Sequence, residues 1–273
     1  MTMGDLRLRG LVLLGCGKMG SALLAGWLAK GLEPGSIWVL EPHPSDWLSR
    51  LVGSGLHLNA GLPDTPAVCL LAVKPQMMGT ALPSLQALGN GTTLFLSIAA
   101  GTRIATFEQV LGDRTPIVRA MPNTPAAVGR GITALIGNLH ASKADLDLAT
   151  DLMGAVGATV LLSNENQMDA VTAVSGSGPA YVFHLIEALA AAGEAEGLPA
   201  DMAMRLARHT VTGAGELAHV AAEPAAQLRI NVTSPGGTTA AALAVLMDPE
   251  TGFPALLRRA VKAAADRGRE LGK

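Results

Sequence analysis

Aromatic residues are scarce in this chain. One Tyr, four Phe and three Trp make up 3% of 273 residues, too few ring faces for a surface that stacks nucleobases. Neither sign of charge is in excess: a net charge of -2 and a pI near 6.3 leave no electrostatic footprint for nucleic acid. The only two cysteines, Cys16 and Cys69, each lie in or beside a strand-like apolar run. Reduced, packed thiols are therefore expected rather than a disulfide framework. No apolar run reaches the roughly 18 residues that a membrane span needs. Residues 1–9 are too polar, and the run after them too broken by glycine, to act as a secretion signal. The expectation is a cytoplasmic protein without a membrane or nucleic-acid partner. The His, Cys, Asp and Glu residues show no metal-ligand spacing, and no nucleophile elbow occurs.

What is abundant is apolar. Hydrophobic residues reach 49% against 15% charged, with mean hydropathy +0.36, so much of the chain must be buried. A length of 273 residues points to two domains. The organising stretch is residues 11–31, LVLLGCGKMGSALLAGWLAKG. Its apolar run breaks at Gly15, and Gly15, Gly17 and Gly20 stand at G-x-G-x-x-G spacing, with Cys16, Lys18 and Met19 between them, ahead of a segment of helical length. Gly15 suits a tight turn, Gly17 lets backbone approach a pyrophosphate, and Gly20 lets helix pack on strand. Glycines also punctuate plain turns. A position between a strand and a helix near the start of the chain favours nucleotide binding.

A second buried strand over 37–40 ends at Glu41, about 20 residues beyond the loop, where an acid can hold the adenosine ribose hydroxyls. A helix cap or solvated charge before Pro42 is an equal reading, so the choice of cofactor stays open. Further strands are expected over 67–73, 93–98, 117–119, 132–136 and 159–162, with a helix over 143–153. Strands alternating with helical stretches predict an α/β, doubly wound, mainly parallel sheet. Ligands bind such sheets beyond the carboxyl ends of the strands, where Lys74, Pro75, Ala100, Met121 and Asn123 would stand.

Near Asn164 the pattern turns wholly helical, over 167–173, 180–196, 200–221, 239–247 and 254–271. The division is a dinucleotide-binding domain over 1–163 and an all-helical domain over 164–273. Residues 180–192 are apolar almost all round and must be covered on every side. Alanine-rich helices build thin cores, so a homodimer with interleaved helices is expected. Two small-residue loops, 175–181 and 233–239, each open a helix and offer hydroxyls and bare N–H groups to a carboxylate. A capped helix after a turn is the plainer alternative. No lysine occurs between Lys143 and Lys262, so this half has none to move a hydroxyl proton. His184, His209 and His219 read as packing or surface residues. A substrate that already carries its proton, such as a cyclic iminium ion, needs only hydride geometry, a carboxylate seat and orientation.

At these residues the chain resembles the pyrroline-5-carboxylate reductases. GCGKMG over 15–20, AVKP over 72–75, RAMPNTP over 119–125, AVSGSGPAY over 173–181 and NVTSPGGTT over 231–239 carry the likeness. The resemblance implies an N-terminal Rossmann domain, a C-terminal helical domain that dimerises by interlocking, and dimers that join into larger rings. It implies reduction of 1-pyrroline-5-carboxylate to L-proline with NADPH or NADH, at a site shared with the partner subunit. Within that family picture, Gly15, Gly17, Lys18, Met19 and Gly20 hold pyrophosphate and Asn59 reaches the adenosine end. Ala72, Val73, Lys74, Pro75, Met121 and Asn123 surround the nicotinamide half. Ser234, Gly237 and Thr238 seat the substrate carboxylate, and Thr239 faces the ring nitrogen as catalytic orienter or weak donor. Glu41 departs from relatives that carry a small polar residue there, which admits NADH. Rival readings are an imine reductase on a related ring, a beta-hydroxyacid dehydrogenase, which uses a lysine in its helical domain, and a cofactor-sensing protein without turnover.

Overall fold

Four-residue apolar runs flanked by glycine and polar turns form the centre of a sheet, because backbone stripped of water must pair with neighbouring backbone. The computed structural model describes residues 3–272. Its elements run α1 Met3–Arg9, β1 Leu11–Leu14, α2 Lys18–Ala29, β2 Ile37–Leu40, α3 Asp46–Leu51, β3 His57–Leu58, β4 Val68–Leu71, α4 Pro75–Ala81, β5 Leu94–Ser97, α5 Ile104–Leu111, β6 Ile117–Met121, β7 Gly131–Gly137, α6 Lys143–Gly154 and β8 Gly157–Leu161. Then follow α7 Met168–Val171, α8 Gly178–Ala195, α9 Ala200–Val220, α10 Ala225–Asn231, α11 Thr238–Leu246 and α12 Phe253–Leu271.

The eight strands form one sheet in the order β3-β2-β1-β4-β5-β6-β7-β8, parallel throughout except where β7 runs against β6. Every residue of β1, β4 and β5 is buried, as expected of strands covered on both faces. Alternate side chains of β1 enter different cores: Leu11 and Leu13 join Trp27 and Leu152 on one face, Val12 and Leu14 join Phe95 and Phe107 on the other. Trp27 donates its indole N–H to the Leu152 carbonyl at 2.9 Å, so its one polar atom is satisfied inside that core. Chain order reverses at β1, whose neighbours are β2 and β4, and this places the crevice of the doubly wound sheet at the carboxyl end of β1.

The mainly parallel α/β sheet and the helical remainder agree with the sequence reading. β3 and α10 were not expected from sequence: two residues and seven residues are too short to display a period. β3 exists because β2 offers it an edge, with Trp38 opposite His57 and their rings stacked 4.2 Å apart.

Two compact units emerge, one comprising the residues up to Gly176 with those from Ala265 onward, the other Ser177–Ala264. Residues 164–176 fall in the first unit although their pattern is helical, and hydrogen bonds explain it. The Glu165 carboxylate accepts from the Arg119 guanidinium at 2.8 Å and from the Ile104 N–H at 2.9 Å. Arg119 is 4% exposed, so losing Glu165 leaves a buried cation and an unpaired N–H. Glu165→Ala is expected to cost about 3 kcal/mol. Urea unfolding followed by tryptophan fluorescence measures it selectively, since Trp27, Trp38 and Trp47 all lie in this unit.

In the second unit α8 packs on α9, and small residues let them approach. A Cβ on Gly193 would lie 3.4 Å from that of Ala203, and Ala190, Ala203 and Ala207 are buried. Much of the apolar surface here is not covered within one chain: Phe183, Leu206, Leu217, Ile230 and Val245 are each more than half exposed. The helix α11, apolar beyond its two threonines, has no fully buried residue. Among the described residues no helix is long and apolar enough to cross a membrane; exposed apolar faces of this kind mark an interaction surface.

Candidate functional site

The glycine loop follows β1 directly. Gly15 adopts φ +89°, a conformation that a side chain resists, and donates its N–H to the Leu40 carbonyl at 2.8 Å. A Cβ there would also lie 2.9 Å from Val73 Cγ1. At Gly20, on the first turn of α2, a Cβ would stand 2.6 Å from the Gly15 carbonyl oxygen. Gly17 differs from both in that a Cβ would meet no protein atom within 4 Å, and unlike Gly15 its φ is negative. It precedes α2 with no side-chain cap on that helix. The first N–H groups of α2, those of Lys18 and Met19 among them, thus receive no side-chain cap from Gly17, and the side-chain direction at Gly17 is open. That is the cradle and the dipole end a diphosphate requires.

Glu41 lies where β2 ends. One carboxylate oxygen accepts the Cys16 N–H at 2.8 Å and the other the His43 N–H at 3.0 Å, which ties the acid to the glycine loop. The Asn59 side chain, just past β3, accepts from the Glu41 N–H and donates to the Glu41 carbonyl, both at 2.9 Å. Sequence reasoning reached Asn59 only through the family likeness and missed this bridge. The available signal was an asparagine, a residue tolerant of positive φ, before a run of small residues; its φ is +50°.

Burial pushes the Cys16 thiol up against an opposing contact from the Ser21 hydroxyl, and the Glu41 carboxylate adds to the rise. Burial also raises Cys69. Both cysteines are free and buried, hence neutral packing groups at pH 7.

Across the crevice, Ala72 and Val73 extend β4 against Gly15, and the Ala72 N–H donates to the Leu14 carbonyl at 2.8 Å. Lys74 is exposed and precedes α4, with Pro75 as the first helical residue. Met121 ends β6. Asn123 is 9% exposed and ties its loop to β7 and to residue 175, accepting from the Ile132 N–H at 2.9 Å and donating to the Ser175 carbonyl at 3.3 Å. Ser175 sits in a single π-helical turn over Thr172–Gly176. Its hydroxyl has no hydrogen-bond partner among the described residues. Of the first small-residue loop, residues 175 and 176 thus belong to the sheet unit and the rest leads into α8.

In the helical unit the turn before α11 is closed by the Gly237 N–H on the Ser234 carbonyl at 3.0 Å, with Gly236 at φ +69°. Gly237 precedes the helix with no side-chain cap, and Thr238 and Thr239 form its first turn. Ser234 and Thr238 are exposed and Thr239 half-buried. Backbone N–H groups and hydroxyls thus converge on one helix start, a neutral seat suited to a carboxylate. Among the described residues no cluster of His, Cys, Asp or Glu could hold a metal ion.

Comparison with known proteins draws these parts together. A pyrroline-5-carboxylate reductase of Synechocystis is 44% identical over 267 residues, spanning 96% of this chain and 98% of that one. The chain belongs to the pyrroline-5-carboxylate reductase family. The family model for pyrroline-5-carboxylate reductase dimerisation matches residues 165–271, and the model described as NADP oxidoreductase coenzyme F420-dependent matches 11–101. The reductase of Pseudomonas aeruginosa is 38% identical over 96% of this chain and 97% of its own. Among solved structures, the Coxiella burnetii reductase superposes with a TM-score of 0.88 at 35% identity, covering 97% of this chain and 99% of that one. The Plasmodium falciparum reductase, solved with NADP bound, gives 0.82 at 30% identity, covering 98% and 99%. Membership makes the chain an NAD(P)H-dependent oxidoreductase acting on a small molecule, and its helical half a homodimerisation module.

Proposed function

We propose that this chain reduces the carbon–nitrogen double bond of 1-pyrroline-5-carboxylate, giving L-proline at the last step of proline biosynthesis. What carries the reading is the near full-length identity of 44% to a reductase of that name. NADPH or NADH supplies the hydride when bound. Gly15, Gly17 and Gly20 with Lys18 and Met19 hold its pyrophosphate, supported by the open space before Gly17. Glu41 and Asn59 serve the adenosine end, and Ala72, Val73, Lys74, Pro75, Met121 and Asn123 the nicotinamide half.

Ser234, Gly237 and Thr238 receive the substrate carboxylate, supported by the uncapped start of α11. Thr239, one residue further, orients the ring nitrogen. The protonated imine already bears the proton that a ketone would have to acquire, which is why a hydroxyl suffices and no lysine is needed from this half. Residues 1–163 are the cofactor domain and 164–273 the dimerisation and substrate domain, a division the dimerisation match over 165–271 supports. The exposed apolar side chains of the second unit support assembly of dimers into a larger ring, and sedimentation reads that state. The two free, buried thiols suit the reducing cytoplasm.

The deciding assay is NAD(P)H oxidation with pyrroline-5-carboxylate beside a panel of 3-hydroxy acids assayed in reverse with NAD(P)+. Turnover with the imine alone is expected. Turnover of a hydroxy acid with none of the imine would establish the dehydrogenase reading instead.

A further inference from the structure

Four hydrogen bonds converge on Glu41, two on its carboxylate and two on its backbone. The Cys16 and His43 N–H groups each hold one carboxylate oxygen, at 2.8 and 3.0 Å. The Asn59 amide grips both the N–H and the carbonyl of Glu41, at 2.9 Å each. Asn59 is itself fixed, since its own N–H donates to the Val39 carbonyl at 2.8 Å and continues the pairing of β2 with β3. We propose that Asn59 is a positioning residue which holds the Glu41 carboxylate at the adenosine ribose, and that this clamp makes the enzyme select NADH over NADPH. The inference rests on the reading that loop 15–20 seats the dinucleotide.

The physical case is one of charge and freedom of movement. A carboxylate has about four lone-pair sites. With one N–H on each oxygen, capacity remains for the two hydroxyls of a ribose. A 2′-phosphate has no donor to offer and brings a charge of about -1.5 to -2. An enzyme tolerates that charge beside an acid only if the acid can turn away. Turning the Glu41 side chain would strand the partly buried Cys16 N–H, and moving its backbone would break both bonds to Asn59. The acid is therefore held in place, and repulsion of the phosphate follows from its fixity.

Titration calorimetry with NAD+ and NADP+, without turnover, tests this. The parent is expected to bind NAD+ at least about tenfold more tightly, and Glu41→Ser to remove that gap. Asn59→Gly keeps a backbone at ease with φ +50° while deleting the clamp. It is expected to narrow the gap roughly fivefold and to change nothing further in the Glu41→Ser background. Equal affinities in the parent overturn the proposal, as does an Asn59→Gly that weakens both cofactors alike or acts undiminished without Glu41. Either of the last two results would make Asn59 a direct contact or a purely structural residue. Failure of the loop reading shows separately, as a Gly17→Ala chain that keeps both affinities.

Discussion

A chain carrying Gly17→Ala folds as the parent does and binds NADH and NADPH on the order of 100-fold more weakly: that is the expected result at the loop between β1 and α2. The backbone at Gly17, φ -69° and ψ -161°, is extended with a negative φ, outside the left-handed region that calls for glycine. The added methyl meets no protein atom within 4 Å. Folding therefore loses little beyond the small N-cap preference for glycine over alanine, whereas the pyrophosphate must come to this backbone closely enough to use the N–H groups of α2. Gly20→Ala is the contrasting control. Its methyl would stand 2.6 Å from the Gly15 carbonyl oxygen, backbone that cannot step aside without rearranging the loop. Thermal unfolding followed by tryptophan fluorescence should match the parent for Gly17→Ala and fall for Gly20→Ala. Calorimetry should show binding damaged in both. Unimpaired cofactor binding in Gly17→Ala would falsify the loop's assignment to pyrophosphate.

The second large effect is on turnover. Thr239→Val keeps the shape of a β-branched side chain at the first turn of α11 and removes only the hydroxyl. kcat is expected to fall about 100-fold, the lower end for loss of a group that assists proton placement, with little change in the KM for cofactor. Thr239→Ser, which restores the hydroxyl, should recover most of the rate. If kcat survives in the valine variant while the KM for the imine rises steeply, the threonine belongs to the carboxylate seat and not to the ring nitrogen. The distinction is chemically meaningful because Ser234 and Thr238 place further hydroxyl donors at the same turn.

How much of this was legible beforehand depends on the range over which each feature is built. The bounds of β1 and β2 match their apolar runs to the residue, since a buried strand announces itself within four positions. The helices α8, α9, α11 and α12 lie within two residues of their expected ends, where proline and glycine mark starts and stops. The π turn at residues 172–176 and the attachment of 164–176 to the sheet were not legible. They depend on Arg119 with Glu165 and on Asn123 with Ser175, pairs that meet across 40 residues or more of intervening chain.

By itself, then, the amino-acid order determined the family, the α/β sheet followed by helices, and the two loops that open α2 and α11. Each is written in residues that touch their sequence neighbours, where glycine spacing and helix starts act within a single turn. Tertiary structure alone decided what a side chain at each of the three glycines would meet and what holds the acid at the end of β2. Cys16, Glu41 and Asn59 come from three separate strand ends, and they meet only because parallel pairing of β1, β2 and β3 brings those ends into line.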